Sequence, residues 1–228
     1  MTKASHPSII AIDGPAASGK STLGRNLADR LGYMFFDTGV MYRAITWLAL
    51  NRDMNLRDET GITRLAEAAQ IDIRPPSKND GRACDVLIEG RDITWETRDS
   101  EVDANVSLVS TYPGVRRSLS AQQRKIGLRG KIVMVGRDIG TVVLPEADLK
   151  VYLDASAEER AKRRYNELIQ RGEAADYNEI LSKVIERDRI DSTRAVAPLR
   201  PAEDAVILDS NRLSADEVFA RVLELVNE

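Results

Sequence analysis

A glycine-rich segment near the start of the chain constrains its fold more than any other feature. The segment from Gly14 to Ser21 matches the pattern G-x-x-x-x-G-K-[ST] at every fixed position. Glycines let the backbone approach phosphate oxygens closely, and inward N–H groups bind the anion together with the positive end of the following helix. The pattern predicts a nucleotide-phosphate site at Gly14, Pro15, Ala16, Ala17, Ser18, Gly19, Lys20, Ser21 and Thr22.

Two side chains of this segment are expected to contact the phosphates and the metal ion. Lys20 is expected to neutralise charge on the β- and γ-phosphates, and the Ser21 hydroxyl is a candidate ligand for Mg²⁺. Asp13, Asp37 and Asp138 are candidates for water-mediated support of that metal, and the sequence does not rank them. Phosphate binding alone leaves kinases, GTPases and motor ATPases open.

The segments around the glycine-rich motif alternate between strand and helix patterns. An apolar run at 8–12 precedes the motif, and Leu23, Leu27 and Leu31 then recur on one helical face that ends at Gly32. Such alternation predicts an α/β fold with a mainly parallel, five-stranded sheet covered by helices on both faces. The predicted core strands lie at residues 8–12, 33–36, 131–135, 150–153 and 205–208.

The stretch from about residue 71 to 98 has a different composition. It contains Pro75-Pro76, a turn-like Asn79-Asp80-Gly81 segment and the short apolar run Val86–Ile88. These features predict a small antiparallel sheet inserted between helices. A helical pattern resumes near Ser100 and continues to about residue 127, with a break at Pro113-Gly114.

Two later helices have recognisable starts. Ser156 with Glu159, and Ser214 with Glu217, have the three-residue spacing of a capping box. In that motif the serine hydroxyl accepts a backbone N–H while the acidic side chain reaches back to the serine N–H. Both pairs therefore predict the first turn of a helix.

Composition limits the classes of partner. The formal net charge is -3, which does not favour a general nucleic-acid binder. The lone Cys84 cannot form an internal disulfide, and the polar stretch before the first strand resembles neither a signal peptide nor a membrane span. We expect a cytoplasmic protein with no nucleic-acid or membrane partner.

Two alternatives among phosphate-binding proteins lose support. The chain has no Asn-Lys-x-Asp element for reading guanine, and its third core strand ends in Gly136-Arg137-Asp138 rather than in adjacent acids. Phosphoryl transfer to a small acceptor depends on positioning and charge stabilisation, for which converging guanidinium groups are suited. Arginines that could supply them are Arg43, Arg116, Arg137, Arg160, Arg163, Arg164, Arg187 and Arg194.

Several blocks make the sequence similar to the bacterial cytidylate kinase family of nucleoside monophosphate kinases, within the P-loop NTPase superfamily. They occur in family order from about residue 8 to the C-terminus, and the blocks 136–143 and 194–199 are the most specific. Thr38 stands where many relatives have serine, which keeps the hydroxyl. The matching blocks are Ile12–Pro15 with the phosphate loop, Asp37–Arg43, Gly136–Val143, Leu153–Arg160 with Arg163-Arg164, Glu186–Asp188 and Arg194–Leu199.

The resemblance implies an acceptor site for cytidine monophosphate (CMP) or its deoxy form (dCMP). Tyr42, Arg43 and Arg137 would hold the acceptor phosphate. A carboxylate that receives the cytosine amino group and a guanidinium that donates to N3 or O2 fit cytosine and mismatch uracil. The implied CMP-binding residues are Thr38, Tyr42, Arg43, Ser107, Arg116, Arg137, Asp138, Asp191 and Arg194, of which Ser107, Arg116 and Asp138 would meet the base and Asp191 and Arg194 the ribose.

The resemblance also implies a division of the chain and a catalytic set. A P-loop kinase core at 1–62 and 100–228 would carry an acceptor-binding insertion at 63–99 and a mobile helical lid at about 156–176. The lid arginines would close over ATP and exclude water. The implied catalytic residues are Lys20, Arg137, Arg160, Arg164 and Arg187.

The sequence thus predicts a monomeric enzyme that transfers the γ-phosphoryl group of ATP directly to CMP or dCMP with Mg²⁺. The acceptor phosphate is already ionised, so the reaction needs no general base. Two alternatives remain open at this point. One is a P-loop kinase for another small acceptor such as UMP, and the other is an ATP-sensing protein without transferase activity.

Overall fold

The computed structural model of the chain describes residues 6–227. Helices and strands alternate along most of the chain, and a small separate sheet interrupts them. In chain order the elements are β1 (Ile9–Asp13), α1 (Lys20–Leu31), β2 (Met34–Asp37), α2 (Gly39–Asn51), α3 (Glu59–Ala68), β3 (Ile71–Arg74), β4 (Asp85–Ile88), β5 (Arg91–Asp92), α4 (Ser100–Val109), α5 (Pro113–Gly127), β6 (Ile132–Gly136), β7 (Leu149–Asp154), α6 (Ala157–Gln170), α7 (Tyr177–Thr193), β8 (Val206–Asp209) and α8 (Ala215–Asn227).

The main sheet has five parallel strands in the order β2-β6-β1-β7-β8. Its strands coincide, within one residue at each end, with the five predicted core strands, so the predicted α/β fold is confirmed. Successive residues of a strand point to opposite faces of the sheet. Ile132 and Met134 of β6 accordingly pack into the core beneath α2, α3 and α5, whereas Val133 and Val135 pack toward α1 and α8.

The carboxyl ends of these parallel strands meet at one edge of the sheet. Asp13 of β1 is in register with Gly136 of β6 and Tyr152 of β7, and Asp37 of β2 is in register with Val135. In open α/β sheets this edge is where ligands bind. The glycine-rich segment and the Gly136-Arg137-Asp138 segment both leave the sheet here.

The second sheet is antiparallel and has the order β3-β4-β5, which confirms the predicted small inserted sheet. A buried arginine, Arg82, holds its connecting loop. The Arg82 guanidinium pairs with the carboxylates of Asp80, Asp85 and Asp92 at 2.8–2.9 Å. The helix α3 continues across the predicted boundary between residues 62 and 63, so the chain has no structural break there. The division into a core and an acceptor-binding insertion stays a prediction.

The helix starts agree with the predicted caps, with one difference. At α8 the capping box is complete, because the Ser214 N–H donates to Glu217 and the Glu217 N–H donates to the Ser214 hydroxyl. At α6 only the serine half forms: the Ser156 hydroxyl accepts from the Glu159 N–H. The Ser156 N–H instead donates to Asn211 at 2.8 Å, which attaches the start of α6 to the loop after β8.

Candidate active site

The glycine-rich segment forms a tight loop between β1 and α1. A side chain at Gly14 would place its Cβ 2.3 Å from the Leu153 carbonyl oxygen, so only glycine fits against β7 here. Gly19 has φ 95°, a left-handed conformation that glycine adopts without strain. The loop therefore delivers its backbone N–H groups and the start of α1 to one point at the sheet edge.

Lys20 is buried inside this loop. Its Nζ atom donates to the Pro15 carbonyl at 2.7 Å, and the side chain is 7% exposed. Burial lowers the pKa of Lys20 well below its usual value, and the nearby Arg137 guanidinium lowers it further. The Arg137 guanidinium and the Lys20 amine lie close together, which makes the site attractive to phosphate groups.

Two cavities open on either side of the phosphate loop and share Ala17, Lys20 and Ser21 in their walls. The first, which we call the donor cavity, has a volume of about 570 Å³. It lies between the start of α1, the helix α6 and the loop after β8. Its wall includes Ala17, Ser18, Gly19, Lys20, Ser21, Thr22, Leu153, Arg163, Arg164, Ser210 and Val218.

The donor cavity has half-exposed arginines. Arg163 pairs with Glu159 on its own helix at 3.1 Å and donates to the Ser210 hydroxyl and carbonyl. Arg164 pairs with Glu167 at 2.8 Å and is 44% exposed. Ion pairs of this kind are weak, because water screens them and long side chains lose entropy on pairing. The glutamate contacts therefore hold these two guanidinium groups only weakly.

Arg160 differs from the two arginines that follow it. It does not line the donor cavity, and its guanidinium is buried. It donates to the carbonyls of Ala16 and Ala155 at 3.0 and 2.8 Å and forms a two-point ion pair with Asp188. In this arrangement Arg160 connects the phosphate loop to α7, and its closure over ATP beside Arg163 and Arg164 stays a prediction.

The second cavity, the acceptor cavity, has a volume of about 460 Å³. It lies between β2, β6 and the helices α2, α4, α5 and α7, and six cationic side chains and three carboxylates line it. This excess of positive charge suits a dianionic phosphate. The charged residues of its wall are Lys20, Arg43, Arg116, Arg137, Arg187, Arg194, Asp37, Asp103 and Asp138.

One end of the acceptor cavity is a buried ion-pair network. Arg116 donates to the Asp138 carboxylate at 2.8 Å, and Arg194 approaches the same oxygen at 3.4 Å. Behind the cavity wall, the fully buried Asp191 pairs with Arg137 at 2.9 Å, Arg187 at 3.2 Å and Arg194 at 3.0 Å. Burial alone would raise the pKa of Asp191, but these three guanidinium groups lower it below its ordinary value.

Asp191 does not reach the cavity surface, since its side chain is 0% exposed. In this arrangement it orients three arginines, and its direct contact with the ribose stays a prediction. Arg187 donates to the hydroxyls of Ser107 and Ser110, which places Ser107 in the wall opposite α7. Arg187 and Ser107 thus meet in the acceptor cavity, as residues 80 positions apart in the chain.

Thr38, Tyr42 and Arg43 also line the acceptor cavity. Thr38 donates its hydroxyl to the Val135 carbonyl at 3.0 Å, and the Tyr42 ring packs 5.4 Å from the Arg116 guanidinium. Arg43 donates to the Thr97 carbonyl at 3.1 Å and pairs with Asp103. The predicted phosphate-holding residues Tyr42, Arg43 and Arg137 therefore line one cavity, although Arg43 is engaged with a carboxylate.

Several buried polar atoms in this site lack a hydrogen-bond partner. Within residues 6–227 they include the Ser18 hydroxyl in the phosphate loop, the Arg116 Nε atom and the Asp138 Oδ2 atom. Unpaired buried polar atoms are costly, so their concentration at a binding site indicates groups that a ligand satisfies. Arg116 and Asp138, which also pair with each other at 2.8 Å, thus keep one donor and one acceptor without a partner in the wall of the acceptor cavity.

A pair of oxygen ligands lies beside Lys20. The Ser21 hydroxyl donates to Asp37 Oδ2 at 2.8 Å, and Asp37 Oδ1 accepts the Gly39 N–H at 3.0 Å. Hydroxyl and carboxylate oxygens suit Mg²⁺, which usually takes few protein ligands and completes its shell with phosphates and water. No group of three or more His, Cys, Asp or Glu side chains that could hold a metal ion occurs between residues 6 and 227.

Of three carboxylates that support this site, Asp103 and Asp188 were not selected as site residues from the sequence, and Asp13 was selected only as a candidate for water-mediated Mg²⁺ support. Asp103 holds Arg43, Asp188 holds Arg160, and Asp13 binds the backbone after Asp138. No local pattern marks them, because each partner lies at least 28 positions away. Asp188 was visible only as part of the Glu186–Asp188 block.

The five-stranded parallel sheet and the phosphate loop between two cavities define a P-loop kinase. A family model described as cytidylate kinase matches residues 10–228. The chain belongs to the cytidylate kinase family. It is 48% identical over 220 residues to the cytidylate kinase of Herpetosiphon aurantiacus, covering 96% of this chain and 94% of that protein. It is 49% identical to the cytidylate kinase of Roseiflexus castenholzii, covering 96% and 93%.

A solved structure supports the fold alone. An uncharacterized protein from Eubacterium ventriosum matches 96% of this chain and 98% of that chain with a TM-score of 0.53 at 11% identity. No helix between residues 6 and 227 is both long and apolar enough to cross a membrane.

Proposed function

We propose that the chain transfers the γ-phosphoryl group of ATP to CMP or dCMP, giving ADP and CDP or dCDP. Membership of the cytidylate kinase family carries this assignment. The observation that supports it in the molecule is the pair of cavities that share Lys20 at their junction. One can hold the triphosphate and the other the acceptor, with both phosphate chains at the loop.

The reaction we propose is a direct in-line displacement. An oxygen of the ionised acceptor phosphate attacks the γ-phosphorus, and the bond from that phosphorus to the β,γ-bridging oxygen breaks as ADP leaves. Lys20 and the loop N–H groups stabilise charge on the donor, while Arg137 and Arg43 hold the acceptor phosphate. The positive excess in the acceptor cavity offsets the repulsion between two anionic nucleotides.

The residues proposed to read the base are Asp138 and Arg116. Asp138 Oδ2 would accept the cytosine amino group, and Arg116 would donate to N3 or O2. Both groups are fixed by their mutual ion pair at 2.8 Å and are almost fully buried. Uracil presents an oxygen and an N–H at the corresponding positions, so it would leave both protein groups unsatisfied. Ser107 completes this wall through its contact with Arg187.

Mg²⁺ is the proposed cofactor, held by Ser21 directly and supported by Asp37. The fit rests on the oxygen pair beside the phosphate loop. When bound, the ion would neutralise β- and γ-phosphate charge. The residues themselves keep the two oxygens together and place them next to Lys20.

The proposed mobile parts are the inserted segment at 63–99 and a lid at about 156–176. Half-exposed Arg163 and Arg164 support the second assignment, because their glutamate partners can be replaced by phosphate. Arg160 stays in the proposed catalytic set, and in this arrangement its guanidinium donates to the Ala16 carbonyl of the phosphate loop at 3.0 Å. A monomeric state and a cytoplasmic location stay predictions.

A coupled assay of ADP release tests the proposal, with CMP, dCMP and UMP as acceptors side by side. We expect rapid turnover with CMP and a kcat/KM for UMP lower by about 10³-fold. A preference for UMP would overturn the assignment of the base-reading residues. ATP consumption without acceptor phosphorylation would overturn the transferase assignment.

A further inference from the structure

Asp13, the last residue of β1, has no part in the reaction described so far. It immediately precedes Gly14, and only 5% of the residue is exposed. Its two carboxylate oxygens accept backbone N–H groups from Ile139 at 2.8 Å and Gly140 at 2.7 Å. Both oxygens are thus occupied by amides of a segment 126 positions away or more.

The two amides follow the pair Arg137 and Asp138. On the other side of this pair, Gly136 is held in the sheet in register with Asp13 itself. Residue 13 is therefore next to the segment at both ends: it lies opposite Gly136 in the parallel sheet, and its side chain binds the Ile139 and Gly140 N–H groups. Only Arg137 and Asp138 lie between these two points.

The local backbone at this point depends on such an anchor. After Asp138 the chain enters a short π-helical turn, Ile139–Val143, whose first N–H groups have no helical carbonyl partner. The Asp13 carboxylate takes two of these N–H groups. Hydrogen bonds to an ionised acceptor are shorter and stronger than neutral ones, so they fix the turn more firmly.

The buried carboxylate is costly. Burial is the main influence on its pKa and raises it to about 6, the Asp138 carboxylate raises it too, and the two N–H groups and Lys20 act in the opposite direction. An apolar or neutral residue would avoid that cost. A carboxylate at this position is therefore explained better by the backbone geometry that it fixes at Ile139 and Gly140 than by a gain in stability.

We propose that Asp13 is a positioning residue that fixes Arg137 and Asp138 relative to the phosphate loop. The inference rests on the proposed function, because those two residues are assigned to the acceptor phosphate and base. Chain connectivity makes the consequence direct: one residue fixes the first glycine of the donor cradle and the segment that holds the acceptor. The distance between the two phosphate chains then depends on it.

The test is Asp13→Asn in the full chain. The amide keeps the shape and one acceptor oxygen, but its NH₂ group cannot accept the second backbone N–H. We expect kcat with CMP to fall about tenfold to a hundredfold, as small misplacements of reacting groups do. The KM for ATP should change by less than about threefold, because the donor cavity is intact. The preference for CMP over UMP should narrow.

Asp148→Asn is the matched control. The Asp148 carboxylate accepts the Ile9 N–H at 2.8 Å, so it also binds a backbone amide. It does so at the opposite end of β1 and lines neither cavity. We expect its kcat and its CMP preference to equal those of the wild type. Hydrogen exchange should show faster exchange of the Ile139 and Gly140 amides in Asp13→Asn only.

Activity and amide exchange together distinguish failure of the proposed transferase function from failure of the Asp13 positioning role. If the wild type does not phosphorylate CMP, the proposed function fails first. If the wild type is active and folded Asp13→Asn exchanges those amides faster with unchanged kcat and acceptor preference, only the positioning role is overturned. Should Asp13→Asn not fold, Asp13→Ser replaces it, and failure of both to fold assigns Asp13 to sheet stability and overturns the proposal.

Discussion

The donor and acceptor cavities hold their arginines in different ways. In the acceptor cavity the Arg116 and Arg194 side chains are 3% and 5% exposed and pair with buried carboxylates. In the donor cavity Arg163 and Arg164 are 29% and 44% exposed and pair with glutamates of their own helix. The carboxylate partners of Arg116 and Arg194 are themselves buried, whereas the glutamate partners of Arg163 and Arg164 are 27% and 43% exposed.

The difference in burial of these ion pairs matches the ligand group proposed for each cavity, a base on the acceptor side and a phosphate chain on the donor side. Buried ion pairs cost desolvation energy but fix geometry, and the removal of one partner leaves an uncompensated charge. Such a network can discriminate between two pyrimidines that differ by one donor and one acceptor. Exposed pairs stabilise little and break easily, which would suit arginines that are proposed to move onto a phosphate chain. Base selection is therefore expected to reside on the acceptor side.

The largest effect should come from the residue that both cavities share. Lys20→Ala removes the cation at the junction, and we expect kcat to fall about 10³-fold with both CMP and dCMP. Burial disfavours the charged form of Lys20, so the thermal unfolding temperature of Lys20→Ala should not lie much below that of the wild type. Loss of the fold in this variant would contradict the placement of Lys20 as a ligand-binding group.

Asp138→Asn tests the acceptor side alone. The variant loses the carboxylate that pairs with Arg116 and that would accept the cytosine amino group. We expect kcat/KM for CMP to fall about 10²-fold, the fall for UMP to be smaller, and the affinity for ATP to remain unchanged. Isothermal titration with ATP and steady-state assays with both acceptors measure these quantities. Equal losses for ATP binding and CMP use would refute base reading by Asp138.

The phosphate loop and the main sheet could be predicted because their determinants are local. Eight consecutive residues encode the loop, and apolar runs of four to five residues encode the strands. The ion pairs of the site are not local in this sense. Asp103 lies 60 positions from Arg43, and Asp13 lies 126 positions from Ile139. A single sequence shows which residue types are present but not which of them meet.

Arg160 shows why a sequence position alone does not give the direction of a helical side chain. It lies in the first turn of α6. Side chains of a helix point toward its N-terminus, so a residue in the first turn reaches beyond the helix start. Arg160 accordingly meets Ala155 and Ala16, whereas Arg164, one turn later, reaches the donor cavity.

Arg164→Ala probes the donor side with a smaller expected effect. The KM for ATP should rise about threefold to tenfold, while the KM for CMP stays unchanged. Arg171→Ala is the matched control, because Arg171 pairs with the same Glu167 but lines neither cavity. If both variants raise the KM for ATP equally, a general loss of positive charge explains the effect and Arg164 has no contact with the nucleotide.

The smallest expected effect is on the pH dependence of the free energy of unfolding. It depends on two carboxylates, Asp13 and Asp191, whose pKa values are shifted in opposite directions. Burial raises the pKa of Asp13 to about 6, whereas three guanidinium groups overcome burial and lower the pKa of Asp191. Lowered groups such as Asp191 stabilise the fold at neutral pH and lose that contribution in acid. Raised groups act in the reverse sense: their contribution is complete below the unfolded-state pKa and disappears as pH rises through the folded-state value.

The difference in unfolding free energy between the wild type and Asp13→Asn isolates the Asp13 contribution, because the variant has no titratable group there. As pH falls from 7 to 5 through the folded pKa of about 6, this difference should shift by about 1 kcal/mol in favour of the wild type. Urea unfolding at the two pH values measures it. A shift of the opposite sign would mean that the Ile139 and Gly140 N–H groups hold the carboxylate in its charged form, and Asp13 would then belong with Asp191 among the stabilising anions.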